Sequence, residues 1–206
     1  MKSFGGAMPS DNTDITDQIL AHHEWFREQF VRLDDAKAAA PSDSDALRAV
    51  WDPLATKLDL HAIAEEEIFY PQLLRRGTED PEEATLDAIG DHNDIRDGVH
   101  AAETHTVGTP EWWAAVVQAR EANDEHMAEE EREGIADFRA NAPAGLRSAL
   151  GRQFARFFEQ HETTAGVNVA DKDPERYVED IERDIAQTRV SDGSLGIGSL
   201  KGRRQL

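Results

Sequence analysis

HAIAE at residues 61–65 and HMAEE at residues 126–130 each put a carboxylate four positions after a histidine, and each has a counterpart upstream. HEWFR at 23–27 and HNDIR at 92–96 both read as a histidine, an apolar residue three positions on and an arginine four positions on. The order is the same in both halves of the chain: H-x-x-x-R, then H-x-x-x-E. On an α-helix, positions i, i+3 and i+4 share a face about one turn apart. Each half therefore reads as a helical hairpin that offers two imidazoles and one carboxylate from its apolar stripe.

The apolar positions around these motifs carry the helical period outward. Ile15, Ile19, His23, Phe26, Phe30 and Leu33 line one face of a first helix, with Asp11 to Asp14 as N-cap candidates. Residues 38–44, with Pro41, read as a loop. A second helix runs to about Arg76, with Leu54, Leu58, His61, Glu65 and Ile68 on one face. Asp52 and Pro53 are either its cap and first turn or a kink, and Gly77 closes it. The third helix, roughly 81–105, has Pro81 in its first turn and Ile89, His92, Ile95 and Val99 as its stripe. After the VGTP turn at 107–110, a fourth helix to about 139 aligns Trp112, Ala115, Ala119, Ala122, His126 and Glu130. Pro143 ends that block. Leu146, Leu150, Phe154, Phe157 and Phe158 define a further amphipathic helix, and PERYVEDIERDIAQTR (174–189) a short charged one. No stretch alternates as a strand does. The expected fold class is all-α, an antiparallel up-and-down four-helix bundle over 13–140. Additional helices over 141–189 pack on it or across a homodimer interface, to which Phe154, Phe157 and Phe158 are suited. A disordered N-terminal segment at 1–12 and a Gly/Ser-rich flexible tail over 190–206 flank these parts.

Composition narrows the chemistry. The chain has 206 residues, of which 42 are acidic and 22 basic, for a formal charge of −20 and a pI near 4.7. Nucleic acid needs cations to displace phosphate counterions, and an anionic membrane surface attracts basic patches, so neither is an expected partner. There is no cysteine, which excludes disulfides, thiolate catalysis, Fe–S clusters and Cys-zinc sites. No apolar run approaches the ~20 residues that span a bilayer. MKSFGGAMPS has no apolar core of a secretory signal, and Met8 is an alternative start. The expectation is a soluble cytoplasmic protein whose chemistry comes from histidine, carboxylates, hydroxyls or a metal.

Polar groups on stripes that the bundle must bury are costly without partners. A lone histidine on an apolar face is ordinarily a satisfied core residue. The acidic runs 65–67 and 129–131, taken alone, are ordinarily solvated faces. Four histidines and two glutamates at matching places in two halves point instead to metal, held by His23, His61, Glu65, His92, His126 and Glu130. Six mixed nitrogen and oxygen donors are too many for one tetrahedral zinc and suit two five- or six-coordinate irons. The glutamates can bridge, and two histidines serve each iron. With an oxo or hydroxo bridge, a position stays open for a small exogenous ligand. His22, His100, His105 and His161 lack this placement and read as surface or packing residues. His22 yields to His23 because only His23 continues the Ile15/Ile19/Phe26 stripe.

HHEWF, HAIAEEEIFYP, DHNDIR and HMAEEE, in this order, resemble the hemerythrin-like, or HHE cation-binding, domain over roughly residues 14–140. The resemblance implies a four-helix bundle with a non-heme diiron centre that meets O2, peroxide or nitric oxide, and it places the ligands at the same six residues. Two departures stand out. EGIA (133–136) occupies the place that IFYP (68–71) has in the first half, so the far end of helix four is expected to bend or to be more exposed. Arg96 stands where the oxygen carriers of marine worms have an extra histidine, which makes simple oxygen carriage less secure than the metal site. Tyr70, five residues after Glu65, is either a hydrogen-bond donor or radical sink in the metal pocket, or a cap on the bundle end.

The tail carries a second resemblance. DGSLGIGSLKG (192–202) is similar to the cargo-loading peptides that direct proteins into encapsulin nanocompartments. It would present Leu195, Ile197 and Leu200 to shallow pockets on the inner wall of the shell protein. The expected function is a diiron cargo protein inside such a compartment, protecting against oxidative or nitrosative stress with or without oxidoreductase turnover. The alternatives are a reversible O2 or iron/oxygen-sensing protein without turnover, and a ferroxidase that supplies iron to the shell. Against the ferroxidase, ferritin-like sites use carboxylate-rich E-x-x-H pairs rather than four histidines.

Overall fold

The structure, a computed structural model, describes residues 14–39 and 43–194. The segment at 1–12 and the tail residues Leu195, Ile197 and Leu200 lie outside the described residues. Every regular element among the described residues is helical: α1 Ile15–Ala39, α2 Ser44–Ala64, α3 Tyr70–Arg76, α4 Pro81–Glu103, α5 Pro110–Arg132, α6 Gly134–Asn141, α7 Ala144–Gln160 and α8 Pro174–Ser194. The helix starts follow from local chemistry. Asp14 accepts from the Thr16 N–H at 3.1 Å. Asp43 accepts from the Asp45 and Ala46 N–H groups, and the Thr109 side chain accepts from Trp112 N–H.

The bundle is α1, the α2–α3 rod, α4 and α5, and its up-and-down course can be read from two apolar clusters. One holds Phe26, Phe30, Leu33, Trp51, Leu58, Val99 and Trp112; the other holds Ile15, Ile19, Phe69, Tyr70, Leu73, Ile89, Ile135 and Phe138. α1 and α4 run from the second cluster to the first, and α2 and α5 run from the first to the second. Between the clusters each helix contributes a polar residue or two: His23, His61 and Glu65, His92, and His126 and Glu130. The expected stripes of the four bundle helices are buried as drawn, with two differences. Ile68 is only partly buried and Ala122 likewise.

The Ile68 difference has a backbone cause. Residues 65–69 form a π-helical turn in which the Tyr70 N–H donates to the Glu65 carbonyl, five residues back. The extra residue rotates the following chain, so the buried face continues through Phe69, Tyr70 and Leu73. Pro53 lies inside α2 and Asp43 is the cap, so Asp52–Pro53 is not the helix start. The fourth helix is not continuous to 139. It stops at Arg132, Glu133 takes φ −113° and ψ −79°, and α6 follows. The bend expected there is present, but Ile135 and Phe138 beyond it are buried. α8 runs to Ser194, past the boundary expected at 189, and α4 stops at Glu103.

α7 packs on α1 and α8 on α4 within the same chain. Phe154 and Phe157 are thereby buried in the protein's own core. No described helix is long and apolar enough to cross a membrane.

α4 and α5 form the closest pair of the bundle, and Gly98 sets their approach. A Cβ there would stand 2.5 Å from the Ala119 backbone nitrogen and 2.7 Å from its Cα, atoms that cannot swing away. Gly90, on the same helix, has nothing within 4 Å of that position. Gly98→Ala is expected to lose about 2–3 kcal/mol through overpacking. Gly90→Ala is expected to gain about 1 kcal/mol from helix propensity. Urea midpoints of the two variants, opposite in sign, check the helix spacing that carries His92 and His126.

Candidate metal centre

Six side chains meet between the two apolar clusters, all buried: His23, His61, Glu65, His92, His126 and Glu130. The four imidazoles present Nε2 inward. His61 Nε2 lies 3.0 Å from Glu65 Oε1, and His92 Nε2 and His126 Nε2 lie 3.4 and 3.9 Å from Glu65 Oε2. His23 Nε2 lies 3.3 Å from Glu130 Oε2. Ligating atoms of His23, His61 and Glu65 lie within 4.8 Å of one another, and so do those of Glu65, His92 and His126. Glu65 belongs to both groups, one oxygen turned to each side.

His92 Nε2 and His126 Nε2 stand 3.2 Å apart, within hydrogen-bond distance of each other, while the other inward atoms point at one another without bonding. His23 Nε2, His61 Nε2, both Glu65 oxygens and Glu130 Oε2 are buried and make no aligned hydrogen bond. Leaving one buried acceptor or donor unsatisfied costs about 1–3 kcal/mol, so five converging on one spot is an arrangement that a cation resolves. Neutral imidazole nitrogens and carboxylate oxygens are a donor set for borderline first-row metals such as iron.

The outward nitrogens of the same imidazoles are each occupied. His23 Nδ1 is 2.9 Å from Glu131, and His92 Nδ1 is 2.9 Å from Glu66. His61 Nδ1 is 3.3 Å from His22 Nδ1, and His126 Nδ1 is 3.5 Å from Asp91. A carboxylate can only accept, so neutral His23 and His92 carry their proton on Nδ1 and turn the Nε2 lone pair inward, that of His92 toward His126 Nε2. Arg27 reaches Glu131 at 2.8 Å and Arg96 reaches Glu66 at 2.6 Å, which gives both H-x-x-x-R motifs their meaning. Tyr70 donates its O–H to Glu130 Oε1 at 2.9 Å. That places the tyrosine on the cluster, as one of its two readings had it. A cavity of about 20 Å³ lies beside Tyr70, His126 and Glu130, with Asp87, Asp91, Glu129 and Glu133 also in its lining. It has room for one water-sized molecule.

Glu66, Glu131, Asp91 and His22 are the residues that sequence reasoning missed as a group. Glu66 is 2% exposed, although acidic runs such as 65–67, taken alone, are ordinarily solvated. The signal was in the repeat: the residue before each first histidine (His22, Asp91) and the residue after each glutamate (Glu66, Glu131) recur in register too. His100 and His161 are partly exposed and His105 is exposed, away from the cluster as expected.

One family model matches this chain, the hemerythrin HHE cation-binding domain, over residues 14–137. The chain belongs to that family. No curated protein and no solved structure matches it. The match ends inside α6, so α7 and α8 are additions to the hemerythrin domain, while all six central residues fall within it.

Burial and neighbours set the charges of the metal-free site. Burial, reinforced by the surrounding histidines, holds His61 well below its ordinary value. Burial and His126 push His92 down to about 4 against the pull of Glu66. His23 moves upward, because the adjacent carboxylates of Glu130 and Glu131 outweigh its burial. Burial and the nearby carboxylates of Glu130 and Glu66 drive Glu65 well above the carboxylate range. Glu66 is held at about 2 by His92, Arg96 and Lys172 in spite of its burial. For a histidine lowered in the folded state, stability is complete above its unfolded value and is lost as pH falls through the folded one. His92 is therefore expected to contribute a loss of roughly 3 kcal/mol to the metal-free protein as pH falls from about 6.5 to 4, a slope that His92→Asn removes. Denaturant unfolding of the metal-free protein across that range measures it.

Proposed function

We propose that this hemerythrin-domain protein holds two irons, one near His23 and His61 and one near His92 and His126, with Glu65 shared and Glu130 completing the set. The observation that carries the reading is Glu65, fully buried, with its two oxygens turned to two histidine pairs and bonded to neither. Bound there, the irons would supply a redox-active centre with room for a small exogenous ligand. The protein's own groups would do the rest. Glu66 and Glu131 orient His92 and His23 through Nδ1, Tyr70 holds a proton at Glu130 Oε1, and Phe69, Ile89 and Phe138 exclude water on one side. A cavity the size of one water favours O2, peroxide or nitric oxide over any larger substrate. Protection against oxidative or nitrosative stress is the role that such ligands fit.

The tail supports a place for this chemistry. DGSLGIGSLKG (192–202) starts at the end of α8, and its likeness to cargo-loading peptides supports packaging in an encapsulin compartment through Leu195, Ile197 and Leu200.

Three experiments test the reading. Protein from iron-supplemented cells is expected to carry about two irons per chain, with a near-ultraviolet band that bleaches on anaerobic reduction and returns with oxygen. His61→Ala and His126→Ala are expected to lose that iron while His100→Ala keeps it; equal iron content in all three variants rejects the ligand set. Deletion of residues 192–206 is expected to leave iron content intact and to abolish co-purification with an encapsulin shell. Continued loading rejects the tail's role.

A further inference from the structure

We propose that the chain beyond the hemerythrin domain makes the two metal positions electrically unequal, with Lys172 as a positioning residue that acts on His92 through Glu66. This rests on the diiron reading.

The two halves make matching contacts around the cluster. Glu131 takes His23 and Arg27, and Glu66 takes His92 and Arg96. They differ in what the C-terminal helices add. Lys172, in the segment between α7 and α8, donates its ammonium to Glu66 Oε2, and the Tyr177 hydroxyl donates to the Glu66 backbone carbonyl. The lysine is held there by its own backbone. Asn93, next to His92, donates to the Lys172 carbonyl at 2.8 Å and accepts from the Lys172 N–H at 3.0 Å. Glu66 thus faces two cations with its side chain fully buried, whereas Glu131 faces one and its side chain is 30% exposed. On the other side of the cluster α7 brings rings: Phe154 and Phe158 stand 5.3 and 4.6 Å from His22, which backs His61.

A carboxylate that accepts from Nδ1 makes an imidazole a stronger donor at Nε2. A second cation on that carboxylate draws the charge away, and it also places positive charge near one metal position and not the other. Both effects disfavour the higher oxidation state beside His92 and His126, so they raise the reduction potential there. Without Lys172 that potential falls.

The test uses the full-length, iron-loaded protein, Lys172→Met and Lys172→Arg. Iron per chain, the Mössbauer spectrum and the midpoint of a reductive titration are measured on each. The parent is expected to show two unequal iron signals. Lys172→Met is expected to keep both irons, to shift one signal and to lower the midpoint, and Lys172→Arg to restore both. The Lys172 side chain is 27% exposed, so methionine of similar length has space. Two bound irons with an unchanged midpoint and unchanged signals in Lys172→Met overturn the proposal and leave the diiron reading standing. An equal shift in Lys172→Arg also overturns it, because the positive charge is then not the cause. A parent protein with fewer than two irons overturns the diiron reading, and this inference with it.

Discussion

Glu65 is a carboxylate with no exposure, set between two apolar clusters, and neither of its oxygens makes a hydrogen bond. An uncompensated charge in such a place costs several kcal/mol, and even its protonated form, with one O–H to give, leaves at least one of His23 Nε2 and His61 Nε2 without a partner. The rest of the bundle answers to that residue. The large apolar side chains on either side, each worth about 1.5–3 kcal/mol on full burial, supply the stability that lets a polar slab exist in the middle. The outer carboxylates and arginines fix the histidines so that their free lone pairs converge rather than scatter. Structure and donor set together describe a site held ready for a cation, at some expense to the metal-free fold.

The backbone contributes as much as the side chains. A regular α-helix through residues 61–73 would carry Glu65 and Ile68 inward and leave Glu66 toward solvent. The π turn changes this by widening one turn, so Glu65 and Glu66 both face inward, the first to the cluster and the second to His92. In the second half the equivalent adjustment is a break at Glu133. One repeat stretches its helix from the final glutamates of the H-x-x-x-E-E run, and the other interrupts its helix two residues past that run.

The stripes, the hairpin order and the six central residues were legible because spacing on a helix fixes which side chains share a face. Ile15, Ile19 and His23 could be placed inward without knowing anything beyond the period. Glu66 and Glu131 were not legible that way. Each sits in a run of glutamates, and only the local change of helical register shows which glutamate turns in. Lys172 lies in an aperiodic connection, and its position depends on a long-range clamp from Asn93 that no periodicity encodes. The fourth helix was expected to run on because nothing in EREGIAD forbids a helix except Gly134, and a single glycine is commonly tolerated.

The cross-pairing of the two halves has a geometric meaning. The carboxylate of the first hairpin holds the histidine and arginine of the second, and the carboxylate of the second holds those of the first. Reciprocal contact of this kind, i to j and j to i, is what an isologous interface between two identical subunits produces. The bundle is in this sense a tethered dimer of hairpins around a pseudo-twofold axis, and neither hairpin could finish its histidines alone. The α7–α8 extension has no such counterpart in the other half. It is where the pair stops being symmetric, so any division of labour between the two halves has to begin there.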